Sequence, residues 1–180
     1  MSGNLQNKYE NEAIAKLKEE FEIKNLMAIP KVEKVVLNMG LAEALSSKDV
    51  MEKAIDQLST IAGQRPRITK AKKAISTFKL REGDQIGLMV TLRGKMAWNF
   101  LEKLIAVVMP RMRDFRGLSE NKFDRVGNYS LGITEQILFP EIDYAKIDKI
   151  RGLVATIVIK NSDQKKSKRL MELLGVPFAR

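Results

Sequence analysis

The side chains able to do covalent chemistry are few in kind. The chain has 180 residues with no His and no Cys, so it lacks an imidazole base, a thiol nucleophile, a thiolate metal site and any disulfide. Proton transfer would fall to carboxylates, Lys or Tyr. Glu52 and Asp56 stand four residues apart in a helical pattern, a spacing that puts two carboxylates on one helix face. Glu141 and Asp143 form a second acidic pair of the kind that can hold a magnesium ion. Nothing else in the sequence converges on either pair, and both read as solvated surface. The phosphate-loop pattern G-x-x-x-x-G-K-[ST], the dinucleotide pattern G-x-G-x-x-G and the nucleophile pattern G-x-S-x-G are all absent. Asn128-Tyr129-Ser130 matches a glycosylation sequon, which carries no meaning in a chain read as non-secreted. The expectation is a protein that is not an enzyme and uses neither cofactor nor metal.

What remains is ionic and hydrogen-bonding chemistry. Lys and Arg number 32 against 22 Asp and Glu, a net charge of +10. Residues 1–64 carry 8 cationic and 10 anionic side chains, residues 65–116 carry 13 and 4, and residues 117–180 carry 11 and 8. The excess therefore lies in the middle. Its densest part is residues 65–81, with seven cations and no acid. A charge run is ordinarily a solvated face, but a mixed-sign soluble surface rarely goes 17 residues without an acid. Phosphate neutralisation is the better account. Uncharged donors accompany these cations in Asn38, Gln64 and Thr91. That mixture suits RNA, whose 2′-hydroxyls and base edges need hydrogen bonds while its phosphates need charge. Aromatic residues make up only 6% of the chain, so shape and backbone recognition is expected rather than stacking on an aromatic platform.

Periodicity supplies the elements that must position these groups. Residues 4–21 read as an amphipathic helix with Leu5, Tyr9, Ala13, Leu17 and Phe21 in register. Residues 32–39 read as a strand that sets Val35, Leu37 and Met39 on one face and Lys34, Val36 and Asn38 on the other. A helix follows, capped by Ser46 or Ser47, with Val50, Met51, Ala54, Ile55, Leu58, Ile61 and Ala62 as its stripe and Gly63 as its stop. The basic stretch, a turn at Glu82-Gly83-Asp84 and a strand over residues 86–93 predict a long basic hairpin. Its second strand puts Leu88, Val90 and Leu92 opposite Met89, Thr91 and Arg93. Residues 95–108 predict a helix with Met96, Ala97, Phe100, Leu101, Leu104, Ile105 and Val108 in its stripe, Trp98 packed at the edge and Pro110 as its end. Residues 111–131 show no pattern and read as a long loop with Arg111, Arg113 and Arg116. Residues 135–139 and 152–160 read as strands, and Ser162 or Asp163 caps a last helix to Leu174. The whole predicts a single α+β domain over residues 1–180, a mainly antiparallel sheet with helices packed on one face. The first 20 residues lack the apolar stretch of a signal peptide, and the longest apolar run, residues 104–109, is far below the ~20 needed to span a bilayer. A soluble, cytosolic protein is expected.

Seven blocks of sequence carry a family resemblance. They are Val35-Val-Leu-Asn38-Met-Gly40, the run from Ala62-Gly-Gln64-Arg-Pro66 to Lys72-Lys73, Phe78-Lys-Leu-Arg81-Glu-Gly83, Val90-Thr91-Leu-Arg93-Gly94, Pro110-Arg-Met-Arg113-Asp-Phe-Arg116-Gly117-Leu118, Gly127-Asn-Tyr-Ser130, and Glu135-Gln-Ile-Leu-Phe-Pro140-Glu-Ile-Asp143. In this order, over essentially the whole chain, the sequence resembles the bacterial large-subunit ribosomal protein L-five family, which binds 5S rRNA in the central protuberance. The resemblance implies a structural ribosomal protein in the cytoplasm. It implies 5S rRNA contacts at Asn38, Gln64 and Thr91, with Arg65, Arg67, Thr69, Lys70 and Arg93 beside them. It further implies a basic arm that reaches P-site tRNA through Lys72, Lys73, Ser76, Thr77, Lys79 and Arg81. Arg111, Arg113 and Arg116 are implied in a bridge or in rRNA contact. The implied partners are 5S rRNA, 23S rRNA, P-site tRNA, a small-subunit head protein and neighbouring central-protuberance proteins, with no membrane and no DNA. Gly40-Leu-Ala42 lacks a second glycine often found there, Gly83-Asp-Gln-Ile-Gly87 lacks the usual proline, and Asp84 sets a negative charge beside the basic hairpin. Two other classes fit the sequence less well. A carboxylate- and metal-dependent enzyme on RNA lacks clustered acids, and a free DNA-binding module lacks a helix-turn-helix or a repeated basic helix.

Overall fold

The computed structural model describes residues 4–45, 48–113, 115–144 and 147–179. Four helices accompany a five-stranded antiparallel sheet, the α+β class expected. The helices are α1 over residues 4–20, α2 (Lys48–Ala62), α3 over residues 95–111 and α4 (Gln164–Leu173). The strands are β1 (Lys31–Gly40), β2 (Arg67–Lys70), β3 (Gln85–Arg93), β4 (Tyr129–Ile133) and β5 (Leu153–Lys160), hydrogen-bonded in the order β2-β3-β1-β5-β4. Among the described residues the chain forms two compact units, one of residues 4–35, 93–131 and 156–179, the other of residues 36–92 and 132–155. Ser46 and Ser47, the expected caps of α2, lie outside the described residues.

In the first unit, α1 buries Leu5, Tyr9, Ala13 and Leu17, as its helical spacing demands. The Tyr9 hydroxyl donates to the carbonyl of Pro30 at 2.9 Å, and its ring lies 5.3 Å from that of Trp98. Trp98 is thus a packing residue. Helix α3 buries Ala97, Phe100, Leu101, Leu104 and Val108, whereas Met96 in its first turn stays 38% exposed and is not part of the core. Pro110 does not end α3. A wider π-type turn at Leu104–Val108 precedes it, and Pro110 sits at the start of the closing turn, Met109–Arg111, where its missing N–H costs least. Helix α4 starts on Asp163, whose Oδ1 accepts from the backbone N–H of Lys166 at 2.8 Å, and Gly175 follows it with φ +95°.

Residues 115–128 are better anchored than a patternless loop would be. Leu118 donates to Pro177 at 2.8 Å and accepts from Ala179 at 3.0 Å. The rings of Phe123 and Phe178 pack 5.9 Å apart, and Phe123 lies 4.7 Å from Tyr129. Burial pushes the Tyr129 phenol up to about 12. Strand β4 begins at Tyr129, inside the segment read from sequence as loop.

The second unit holds the buried stripe of α2 (Met51, Ala54, Leu58, Ile61 and Ala62) with Leu37, Met39, Leu88, Val90 and Leu92 from the strands. Gly63 stops α2 at φ +67°, as its position predicted. Residues 135–139 are not a strand. Gln136–Leu138 forms a single 3-10 turn around Gln136, which is fully buried. The Gln136 amide donates to the carbonyl of Lys149 at 2.7 Å and accepts from the backbone N–H of Arg151. A side chain thus supplies the hydrogen bonds that a neighbouring strand would have made, and Pro140 offers no N–H to continue one. The same turn is braced by the Arg151 guanidinium, which donates twice to Asp148 at 2.7 Å.

Candidate nucleic-acid interface

The sheet edge formed by β2, β3 and β1 positions most of the candidate contacts. From Val35 onward β1 alternates, with Val35, Leu37 and Met39 buried and Asn38 exposed. In β3 Leu88, Val90 and Leu92 are buried, Met89 and Thr91 half-buried and Arg93 exposed. Each strand therefore turns one apolar side into the core and leaves a polar side outward.

Register sets which outward residues meet. Strand β2 pairs antiparallel with β3, placing Arg67 opposite Met89 and Thr69 opposite Gly87. On the other side of β3, Leu41 donates to the carbonyl of Ile86 at 2.8 Å. Counting back along the antiparallel strands puts Asn38 across from Met89 and Val36 across from Thr91. Directly opposed residues share a face, so Arg67, Met89 and Asn38 form one row, with Thr69 in the next row on one side and Thr91 on the other. Lys70 lies past a register shift between Thr69 and Lys70, exposed at the end of the edge strand. Gln64 and Arg65 are exposed in the short link between Gly63 and β2, which is pinned by buried Pro66. Asn38, Gln64, Arg65, Arg67, Thr69, Lys70 and Thr91 all belong to the second unit; Arg93, last in β3, belongs to the first.

The long basic hairpin is found in altered form. Strand β2 spans only Arg67–Lys70, and residues 71–84 form a loop with its own internal ladder. Ala71 donates to Asp84 at 2.8 Å and Gly83 donates back to Ala71 at 3.0 Å, which closes the base. Ile75 and Leu80 exchange hydrogen bonds of 2.9 and 3.1 Å across the arm, and a 3-10 turn at Ser76–Phe78 makes the tip. Asp84 takes part in the turn, its carboxylate accepting from the backbone N–H of Arg81 at 2.7 Å. A regular strand fails here because Lys72, Lys73, Ser76, Thr77, Lys79 and Arg81 are all exposed. With both sides polar, no buried face holds a register. The arm thus projects four cations and two hydroxyls. Arg111 ends α3 and Arg113 and Arg116 follow it, all three exposed, in the first unit.

Two features of this surface escape sequence reasoning. Gly87 is buried between its neighbouring strands: a β-carbon there would lie 2.6 Å from the Met39 carbonyl oxygen and 3.1 Å from Thr69 Oγ1. The glycine thus lets the neighbouring strands approach β3 closely. Phe78, at the tip of the arm, is 71% exposed. Glu52 and Asp56 are exposed on α2, in keeping with solvated surface. Among the described residues no group of three or more Asp or Glu side chains converges as a metal site, and no helix is long and apolar enough to cross a membrane.

Comparison with known proteins gives a consistent picture. Residues 25–81 match the family model described as ribosomal protein L5, and residues 85–178 match that described as the ribosomal L5P family C-terminus. The chain is 52% identical over 176 residues to large ribosomal subunit protein uL5 of Thermoanaerobacter sp., covering 98% of each chain. It is 53% identical over 174 residues to the uL5 of Desulfotalea psychrophila, covering 97% of each. It is 48% identical over 178 residues to that of Roseiflexus sp., covering 99% of each.

Proposed function

Because the chain belongs to the ribosomal L5 family, we propose that the outward face of β2, β3 and β1, with the basic arm beside it, binds 5S rRNA. Membership makes the chain a structural constituent of the large ribosomal subunit, located in the bacterial ribosome and not an enzyme. The observation that carries the finer reading is the row Arg67, Met89 and Asn38 flanked by Thr69 and Thr91. It sets uncharged donors and acceptors within a surface whose charge comes from an acid-free run of seven cations. Cations fix register on phosphates, while Asn, Gln and Thr side chains read 2′-hydroxyls and base edges. Gln64 and Arg65 extend the surface past the start of the edge strand.

The arm, through Lys72, Lys73, Ser76, Thr77, Lys79 and Arg81, reaches P-site tRNA. Arg111, Arg113 and Arg116 serve 23S rRNA or a bridge to a small-subunit head protein, and central-protuberance proteins complete the surroundings. Asn38→Ala, Gln64→Ala and Thr91→Ala are each expected to weaken 5S rRNA binding by about 1–3 kcal/mol, the usual cost of leaving a desolvated polar partner unpaired. Filter binding to a 5S transcript measures this. Unchanged affinity in all three variants would remove the strand-face site while leaving family membership intact.

A further inference from the structure

Phe78 is the one exposed member of seven phenylalanines, all of them among the described residues; the other six are buried or half-buried. Leaving a ring in water forgoes about 1.5–3 kcal/mol of burial, so its position calls for a partner. The backbone beneath it is held. Phe78 donates to Ile75 at 3.2 Å, Lys79 donates to Ser76 at 2.9 Å, and Lys79 closes the turn in the left-handed region at φ +52°. The arm that carries the ring also carries Lys72, Lys73, Lys79 and Arg81, all exposed, with no acid anywhere in residues 65–81. Apart from Ile75, which is 44% exposed, the small Ala74 and half-buried Leu80, the arm offers hydroxyls and charge rather than apolar surface. That is too little apolar area to anchor a protein partner. A flat exposed ring on an arm rich in cations matches a nucleobase held by its phosphates.

We propose that Phe78 stacks on an exposed nucleobase, either unpaired or forming the open face of a helix-terminal pair, in the RNA that the arm's cations grip. Stacking at this single ring would add to the shape and backbone recognition expected from the low aromatic content. The proposal rests on the arm facing RNA and is independent of the site at Asn38, Gln64 and Thr91.

The test uses the full chain with F78A, F78L and F78W, each bound to a tRNA transcript and to a 5S rRNA transcript over a range of salt. The expected result is a loss of about ten-fold for F78A and F78L on the RNA the arm contacts, within the range for one stacked base. F78W should stay within about two-fold of the parent. The salt dependence should be unchanged in all three, since no cation is removed. Whichever transcript shows the loss supplies the base. F78L binding as tightly as the parent on both RNAs would overturn stacking in favour of simple apolar bulk. Unchanged binding of F78A to both, or no binding of either RNA by the parent at low salt, would overturn the proposal outright. Melting temperatures equal to the parent's confirm that the variants fold. Loss with the Phe78 variants but not with Asn38→Ala, Gln64→Ala or Thr91→Ala removes the strand-face reading alone; the reverse pattern removes this one alone.

Discussion

A β-carbon added at position 87 would press on the Met39 carbonyl at 2.6 Å, and that neighbour is backbone. Gly87→Ala must therefore shift β1 against β3. The expected cost is about 1–3 kcal/mol of stability, the range for overpacking, read by urea denaturation, together with weaker 5S rRNA binding because Thr69 and Asn38 move with their strands. Loss of stability with unchanged RNA affinity would show that the outward face tolerates the shift. Asp148 carries a different residue-scale prediction. The two hydrogen bonds from Arg151, opposed in part by desolvation, hold its carboxyl well below the ordinary 3.8. A carboxyl depressed on folding contributes stability that is present in full above the unfolded value and lost as the pH falls through the folded one. The urea midpoint of the parent should thus drop as pH falls below about 4, and Asp148→Asn should flatten that part of the profile. Parallel profiles would separate the pair from acid stability.

Helix α4 is tied down at its first turn by the Asp163 carboxylate on Lys166 N–H. Asp163→Ala should cost about 1 kcal/mol, measured by thermal or chemical unfolding. Elements like this are legible in sequence because their cues are local. A capping residue, an apolar stripe and a terminal glycine lie within a few positions of one another, as in α2 with Leu58, Ile61 and Gly63. The misread elements depend on distant partners. Tyr129, Leu131 and Ile133 alternate with Ser130 and Gly132 and are buried on one side, yet five residues with a glycine give a weak signal. Residues 135–139 look strand-like until the buried Gln136 side chain is seen to occupy the backbone groups of Lys149 and Arg151. The binding surface divides in the same way. Asn38, Thr91 and Arg67 follow from alternation within single strands. The close packing at Gly87 and the exposure of Phe78 depend on cross-strand and tip geometry, which no local pattern encodes.

Across the whole molecule the +10 charge is unevenly shared, with 13 cations against 4 acids in residues 65–116. Phosphate contacts release counterions, so affinity should fall as salt rises with a slope near 0.7–0.9 per phosphate neutralised. Replacing Lys72 and Lys73 together by Ala should lower that slope by about 1–2 while leaving discrimination between RNAs in place, because cations position and polar contacts specify. An unchanged slope would take these two lysines out of phosphate contact. The central claim is that this charge serves a surface selective for one RNA. It is tested most directly by titrating the full chain with a 5S rRNA transcript and with a random duplex of equal length across a series of salt concentrations. The account predicts tighter binding to 5S rRNA at every salt concentration, with the preference growing as salt suppresses the purely ionic contribution. Equal affinity for both at every concentration would contradict it.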